Sequence, residues 1–317
     1  MKRLTRGLVV VLTICMLFGL CSSALAASKA DEEVAAAYAK LEEAQSYACQ
    51  MQLVMGMTMA QEQANMEANC QMQVINDPLK LKMEMLATVE AAGEAQTISL
   101  PVYALEEDGM LKLYMNLEGE WLSMEMPMEE FDSAQFQGIN AAEFTQGLSG
   151  FQRIGGKAII GARTALRYSA RLNWEDMSQL MGEMDFSSML GADANGMAWI
   201  FDLMESLYQD MGVSKVMLYI DEETGLPLRY EVDLTDALQQ MMTNLVNLLV
   251  KEMQGQEALS PEDQAELQEM LSLQIQRYAL TLDFSDVNQV KDFKIPSAVK
   301  NADPIIGAFD GALDLAS

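Results

Sequence analysis

The sequence predicts an α+β fold in which one antiparallel β-sheet is covered by helices. Apolar residues recur at every second position in successive segments from about residue 47 to residue 126, which is the pattern of half-buried strands. Short connections with turn residues separate these segments, as in an antiparallel meander. Helical patterns occupy the middle of the chain and strand patterns return after them, so we expect one sheet built from two sequence-distant parts.

The N-terminus has the pattern of a secretory signal peptide over residues 1–26. Basic residues precede an apolar run, and Ala24 and Ala26 then stand at A-x-A spacing, which favours cleavage before Ala27. Lipid attachment at Cys21 is the alternative, but the bulky Leu20 before it makes a poor lipoprotein signal. We therefore expect a secreted or cell-envelope protein. No second apolar run approaches the roughly 20 residues of a membrane helix.

Composition excludes several classes of function. The formal charge is −27, and it becomes −30 when Lys2, Arg3 and Arg6 leave with the signal peptide, so nucleic-acid binding is disfavoured. Histidine is absent, which removes histidine-dependent catalysis and histidine-ligated zinc. The "GADANG" stretch at 191–196 lacks the closing glutamate of a calcium loop and is interpreted as a turn. We expect no cofactor and no metal.

Catalysis by paired carboxylates is also disfavoured. Adjacent acids such as Glu129-Glu130 and Glu222-Glu223 point apart on a strand or turn, and nothing in their surroundings predicts the separated pKa values that acid–base chemistry requires. The sequence therefore predicts a protein that is not an enzyme.

The first element is a helix over about 30–45. Three acids lie in its first turn, where they suit the helix dipole. Its apolar positions recur at helical spacing; they are Val34, Ala37, Tyr38 and Leu41.

Strand patterns follow the helix. Pro101 lies in the fourth and indicates an edge or a bulge, and Glu118-Gly119 marks a turn. The predicted strand segments of this first part are 47–59, 66–77, 78–86, 96–105 and 109–126, the last of which contains two strands.

The second part mixes helices and strands. Residues 128–149 are expected to form a helical or irregular cover, and Gly161 a turn between strands within 157–174. A hairpin over 215–234 turns at Glu222–Gly225. The predicted helices are 174–184, 197–212, 235–254 and 261–274, and a strand from about residue 277 runs into an extended end at Pro296. No linker divides the chain, so we predict one domain over 27–300 and a loosely ordered tail over 301–317.

Cys49 and Cys70 remain after signal cleavage, and an even pair in an oxidising compartment predicts a disulfide. Both fall on the apolar set of adjacent strands. A cross-strand disulfide needs Cys49 and Cys70 to lie opposite each other. The same register places Met51 opposite Ala68. The bond would close a loop of about 20 residues and contribute on the order of 3 kcal/mol.

The order of motifs resembles the LolA-like superfamily, in a methionine-rich branch exported by Gram-positive bacteria. The stretches that carry the resemblance are "NDPLKLKMEM", "YALEEDGMLKLYMNLEGEWLSM", "GARTALRYSARLN", "LYIDEETGLPLRYEVDL" and "LDFSDVNQVKDFKIP". The superfamily includes periplasmic lipoprotein carriers and mycobacterial envelope lipoproteins. The resemblance implies a strongly curved sheet or half-open barrel, with helices on its concave face and a hydrophobic ligand between them. It offers no residue-specific binding motif.

The 27 methionines admit three interpretations. Flexible thioethers fill ordinary cores, but methionine-rich surfaces also repack around varied apolar ligands. The third interpretation, a Cu(I) site, is disfavoured because alternate residues of one strand lie about 6.6–6.8 Å apart and cannot converge unaided.

Our leading hypothesis is a non-enzymatic protein that binds a lipid or acyl chain in a methionine-lined cavity. The candidate lining residues are Met51, Leu53, Met55, Met57, Met72, Leu81, Met83, Leu113 and Met115. The alternative is an envelope interaction module with a solid core and a protein partner.

Overall fold

The structure is a computed structural model and describes residues 28–59, 62–91, 93–117, 119–128, 148–174, 213–254 and 274–304. Helix α1 spans Lys29–Glu42. Ser28 caps it through a reciprocal capping box with Asp31, which satisfies amide groups that the first turn leaves free. The four apolar residues predicted from helical spacing are all buried.

Six strands follow as a meander. Each pairs antiparallel with its neighbour in sequence, as the alternating pattern predicted. They are β1 Ser46–Met59, β2 Glu62–Asn76, β3 Leu79–Ala91, β4 Glu94–Glu107, β5 Met110–Leu117 and β6 Glu120–Pro127.

The second part of the chain completes the sheet. Its elements are β7 Leu148–Ile160, β8 Arg163–Asn173, β9 Val213–Asp221, β10 Pro227–Asp233, helix α2 Thr235–Gln254, β11 Gln274–Ser285, a 3-10 helix Ser297–Asn301 and β12 Asp303–Pro304. The predicted hairpin at 215–234 and the helix at 235–254 are confirmed.

One sheet holds all twelve described strands, in the order β12-β6-β5-β4-β3-β2-β1-β11-β10-β9-β8-β7. It is curved and, over the described residues, not closed into a barrel. The two sequence-distant parts meet where β1 pairs with β11, which confirms the predicted single sheet. Among the described strands, only the short β12 runs parallel to its neighbour.

Alternation gives the sheet two faces, because successive side chains of a strand point to opposite sides. The apolar face carries the odd positions of β1 and the even positions of β11, and it includes Leu53, Leu282 and Tyr230. Helix α1 packs on this face. The Tyr38 ring meets Phe284 edge-on at 6.2 Å, and the Tyr168 hydroxyl donates to Glu33 Oε2 at 2.6 Å.

The "IDEETGLPLRYE" hairpin holds α1 at its other end. Lys40 Nζ donates to the Thr224 carbonyl at 2.9 Å. The buried Asp221 carboxylate accepts hydrogen bonds from the Glu223 and Thr224 amides, which fixes the turn. This motif therefore serves to position the helix over the sheet.

Several boundaries differ from the sequence prediction. The predicted β1–β2 register is wrong by two residues. In the structure Cys49 lies opposite Met72, and Met51 lies opposite Cys70. β7 begins at Leu148, inside the segment predicted to be a cover. Asp303–Pro304, inside the segment predicted to be a loosely ordered tail, pair with β6.

Pro101 shows where a predicted edge arises. β4 pairs with β5 only over Val102–Glu107 in the described structure, so Pro101 lies just beyond that ladder. Proline has no amide hydrogen to donate. Because Pro101 lies beyond the β4–β5 ladder, no hydrogen bond to β5 is lost there.

Other predictions fall outside the described residues. They are the signal peptide with Cys21, the helices at 174–184, 197–212 and 261–274, the turn at 191–196, and the tail beyond residue 304.

Candidate functional site

The candidate site is the apolar face of β1 to β6. The strand register brings side chains of this face into rows that cross the sheet. One row runs Phe284, Cys49, Met72, Met83, Val102, Met115 and Leu122. The next runs Leu282, Met51, Cys70, Met85 and Leu100. Sulfur-bearing side chains of β1, β2 and β3 therefore lie side by side, and Val102 separates them from Met115 of β5.

All nine predicted lining residues fall on this one face. Leu53, Leu81 and Leu113 are buried core residues. The six methionines are half-buried, so part of each thioether surface is not covered by the rest of the protein. They are Met51, Met55, Met57, Met72, Met83 and Met115. The structure thus brings the predicted set together, and its role in binding remains a prediction.

Burial differs between the two halves of the apolar face. Under α1, the side chains of Tyr168, Tyr230 and Leu218 are at most 1% exposed. On β1 to β6, half-buried methionines lie among fully buried residues of the same face. An apolar surface that is only partly covered is typical of a place where another apolar group binds.

Sequence reasoning missed several residues of the same surface. Met66 and Val102 are buried on it, and half-buried residues extend it toward β6. These half-buried residues are Met85, Leu100, Met124, Met126 and Met128. The alternation that identified Met83 and Met115 continues through these residues and could have identified all but Met128, which follows the end of β6.

The opposite face of the same strands is polar. On β1 and β2 it carries Gln50, Gln52, Gln71 and Gln73, all exposed. Further along the sheet, Arg229 on this face binds Asp283 through two nitrogens, with Nη2 to Oδ2 at 2.7 Å, and also contacts Glu231. The hydrogen bond to Asp283 and the nearby Glu231 carboxylate raise the pKa of Arg229 above its ordinary value. A charged face on one side and an apolar face on the other leave the apolar side as the candidate site.

Cys49 and Cys70 are free thiols in the structure, so the predicted disulfide is not formed. The corrected register supplies the reason. The two residues are diagonal neighbours, for which Cα atoms lie about 7–8 Å apart. A disulfide rarely spans more than about 7 Å without movement of the backbone.

Burial sets the chemistry of these thiols. It raises the pKa of Cys70 to about 11. For Cys49, burial raises the pKa further, and the nearby Cys70 adds to the shift. Both thiols are therefore neutral at physiological pH and behave as small apolar groups.

One polar atom stands out on this face. The Tyr47 hydroxyl is buried and has no hydrogen-bond partner within the described structure. Burial raises the pKa of Tyr47 well above its usual value. Tyr168, in contrast, uses its hydroxyl to bind Glu33.

The described residues contain no group of three His, Cys, Asp or Glu side chains arranged to hold a metal ion. Over the same residues, no helix has both the length and the apolar character needed to cross a membrane.

Comparison with solved structures finds general likenesses at very low identity. The mycobacterial lipoprotein LppX from Mycobacterium tuberculosis is 9% identical with a TM-score of 0.40, over 83% of this chain and 97% of that one. LprF from Mycobacterium bovis is 9% identical with a TM-score of 0.36, over 85% and 97%. A DUF1329 protein from Desulfovibrio piger is 7% identical with a TM-score of 0.25, over 83% and 92%.

One of these likenesses is to a mycobacterial lipoprotein, a kind of protein that the resemblance to the LolA-like superfamily had named. TM-scores below 0.5 transfer no function. No functionally curated protein matches the chain in sequence. The model of one family, DUF6612, matches residues 29–243. The chain therefore belongs to DUF6612, a family of unknown function.

Proposed function

We propose that this protein is a non-enzymatic binding protein, secreted or held at the cell envelope, that binds a lipid or another long apolar ligand on the apolar face of β1 to β6. The observation that carries the proposal is the band of half-buried methionines across five of these strands. In this proposal the sheet is concave on that side and the helices cover it.

Thioether side chains suit such a ligand physically. Methionine is unbranched and polarisable, so a methionine-lined surface adjusts to acyl chains of different length and shape. Each methylene that leaves water contributes about 0.8 kcal/mol, and a short acyl chain therefore gains appreciable affinity. The remaining uncovered surface of Met72, Met83 and Met115 is what the ligand would bury.

The first test asks whether a ligand is present. The purified secreted chain is extracted with organic solvent and the extract is examined by mass spectrometry. Displacement of a fluorescent fatty acid then measures uptake by the delipidated protein. We expect a co-purifying apolar molecule and saturable uptake of the probe.

Variants then locate the binding surface. M83Q/M115Q places amides on one row of the apolar face, and we expect probe affinity to fall at least about thirtyfold, because burying each of the two amides costs roughly 1–3 kcal/mol. M217Q is the matched control, since Met217 is half-buried on the polar face of β9. Absence of both a co-purified ligand and saturable uptake would reject the proposal. Equal effects of M83Q/M115Q and M217Q would reject this surface.

A further inference from the structure

Four sulfur-bearing residues form a compact square on the apolar face. Cys49 and Met51 are alternate residues of β1, and Met72 and Cys70 lie directly opposite them on β2. We call these four residues the sulfur square. Met83 and Met85 of β3 lie opposite Met72 and Cys70 and extend the same surface by two more sulfurs.

The register, and not the sequence spacing, creates this arrangement. Sulfurs along one strand cannot converge, because alternate residues lie about 6.6–6.8 Å apart. Directly opposite residues have Cβ atoms only about 4.5–5.5 Å apart. The centre of the square is then about 4 Å from each of its four Cβ atoms, within reach of two thiols and two flexible thioethers.

We propose that the sulfur square binds a soft monovalent metal ion, Cu(I), as a site separate in chemistry from the apolar ligand. Thiolates and thioethers are the ligands that select Cu(I) over harder ions. The described residues present no histidine, and no carboxylate belongs to the square. The donor set therefore disfavours zinc, calcium and magnesium.

Charge balance fits the burial of the site. Cu(I) takes the place of one thiol proton, which passes to solvent, so one copper–sulfur bond to a thiolate forms and no electron is transferred. The resulting copper thiolate is neutral, and a neutral pair avoids the cost of an isolated buried charge. The two thioethers complete the coordination as neutral donors, and the second thiol keeps its proton beside the ion, because the thiolate and not the thiol is the metal ligand.

The burial pattern gives the ion a route to the site. The two thiols are at most 5% exposed, while Met51 and Met72 are half-buried and have uncovered surface. The thioethers therefore meet the ion first, and the thiols hold it out of contact with water.

Anaerobic titration of the secreted chain with Cu(I), in competition with bicinchoninate, measures the affinity. X-ray absorption at the copper edge identifies the donor atoms. We expect one equivalent of Cu(I) bound by sulfur alone. Absence of competitive binding, or nitrogen and oxygen donors in the spectrum, would overturn the proposal.

Two variants test the named residues. M51L/M72L keeps the apolar volume and removes both thioethers. Changes outside the first coordination shell typically cost 10–100-fold in metal affinity, so we expect a loss of at least about tenfold. C49A/C70A removes both thiols and should abolish binding, and an unchanged affinity in it would contradict the site.

M115L/M124L is the matched control, since it removes two methionines of the same face that lie away from both cysteines. Its affinity for Cu(I) should equal that of the unchanged chain, and an equal loss in M51L/M72L and M115L/M124L would overturn the assignment. Circular dichroism confirms folding, and M51L/M72L decides the question if C49A/C70A does not fold. Uptake of the fatty-acid probe separates the two proposals. If the protein takes up the probe but does not bind Cu(I), only the copper proposal is overturned.

Discussion

At the scale of single residues, two buried tyrosines on the apolar face differ in how their hydroxyls are satisfied. Tyr168 donates to Glu33 Oε2 at 2.6 Å and so ties β8 to α1. Tyr47, on β1, has a buried hydroxyl with no partner in the described part of the chain. A buried polar group without a partner loses its hydration and gains nothing in exchange.

Removal of each hydroxyl should therefore have opposite results. We expect Y168F to lower the free energy of unfolding by about 1–2 kcal/mol, because it removes a charge-assisted hydrogen bond. Y47F should leave stability unchanged or raise it, since the lost hydroxyl made no bond. Urea unfolding of both variants measures this difference, and each is the control for the other. A comparable loss in Y47F would mean that Tyr47 has a partner, such as a buried water.

At the scale of elements, the sequence predicted whether a segment is a helix or a strand better than it predicted the register between paired strands. Helix α1 and the Glu222–Gly225 hairpin were predicted because each has strong local signals, helical spacing with an acidic first turn in one and a turn motif in the other. The β1–β2 register had no such signal, because the turn near residue 60 lacks an Asn-Gly or Asp-Gly pair. A slip of two residues keeps the same face inward, so hydrophobic patterning alone could not exclude it.

The same distinction applies to the candidate site, where the face of each residue could be predicted but its cross-strand neighbour could not. Alternation alone placed Met51, Met72 and Met83 on one face, and the structure agrees. It could not show that Cys49 faces Met72 or that Met51 faces Cys70, because those contacts depend on the register. The predicted disulfide failed for this one reason, and the copper proposal depends on the same contacts.

An engineered disulfide tests the register. In a C70S background, M72C introduces a thiol directly opposite Cys49. We expect it to oxidise with Cys49 more readily than the native Cys49 and Cys70 do, because opposite residues approach within the range of disulfide geometry and diagonal ones do not. Mass spectrometry after mild oxidation measures the bond. The native cysteines are the control, and faster oxidation of that pair would favour the register predicted from sequence.

At the scale of the whole molecule, the dominant property is a large excess of acid. The chain has 47 Asp and Glu against 20 Lys and Arg. Ion pairs such as Arg229 with Asp283 use some of the cations on the polar face. Most carboxylates must therefore repel one another across the surface, which opposes the compact state.

Salt should therefore stabilise this protein. Screening shortens the Debye length from about 10 Å at 0.1 M to about 3 Å at 1 M, which weakens repulsion between exposed carboxylates more than it weakens the partly buried Arg229 contacts. We expect the free energy of unfolding to rise by about 1 kcal/mol over that range, the size of a few surface charge interactions. Urea unfolding in sodium chloride measures the change, and potassium chloride at equal ionic strength should give the same rise because screening does not depend on the cation. A fall in stability with added salt would show that ion pairs outweigh the repulsion, and a rise with only one cation would indicate specific binding.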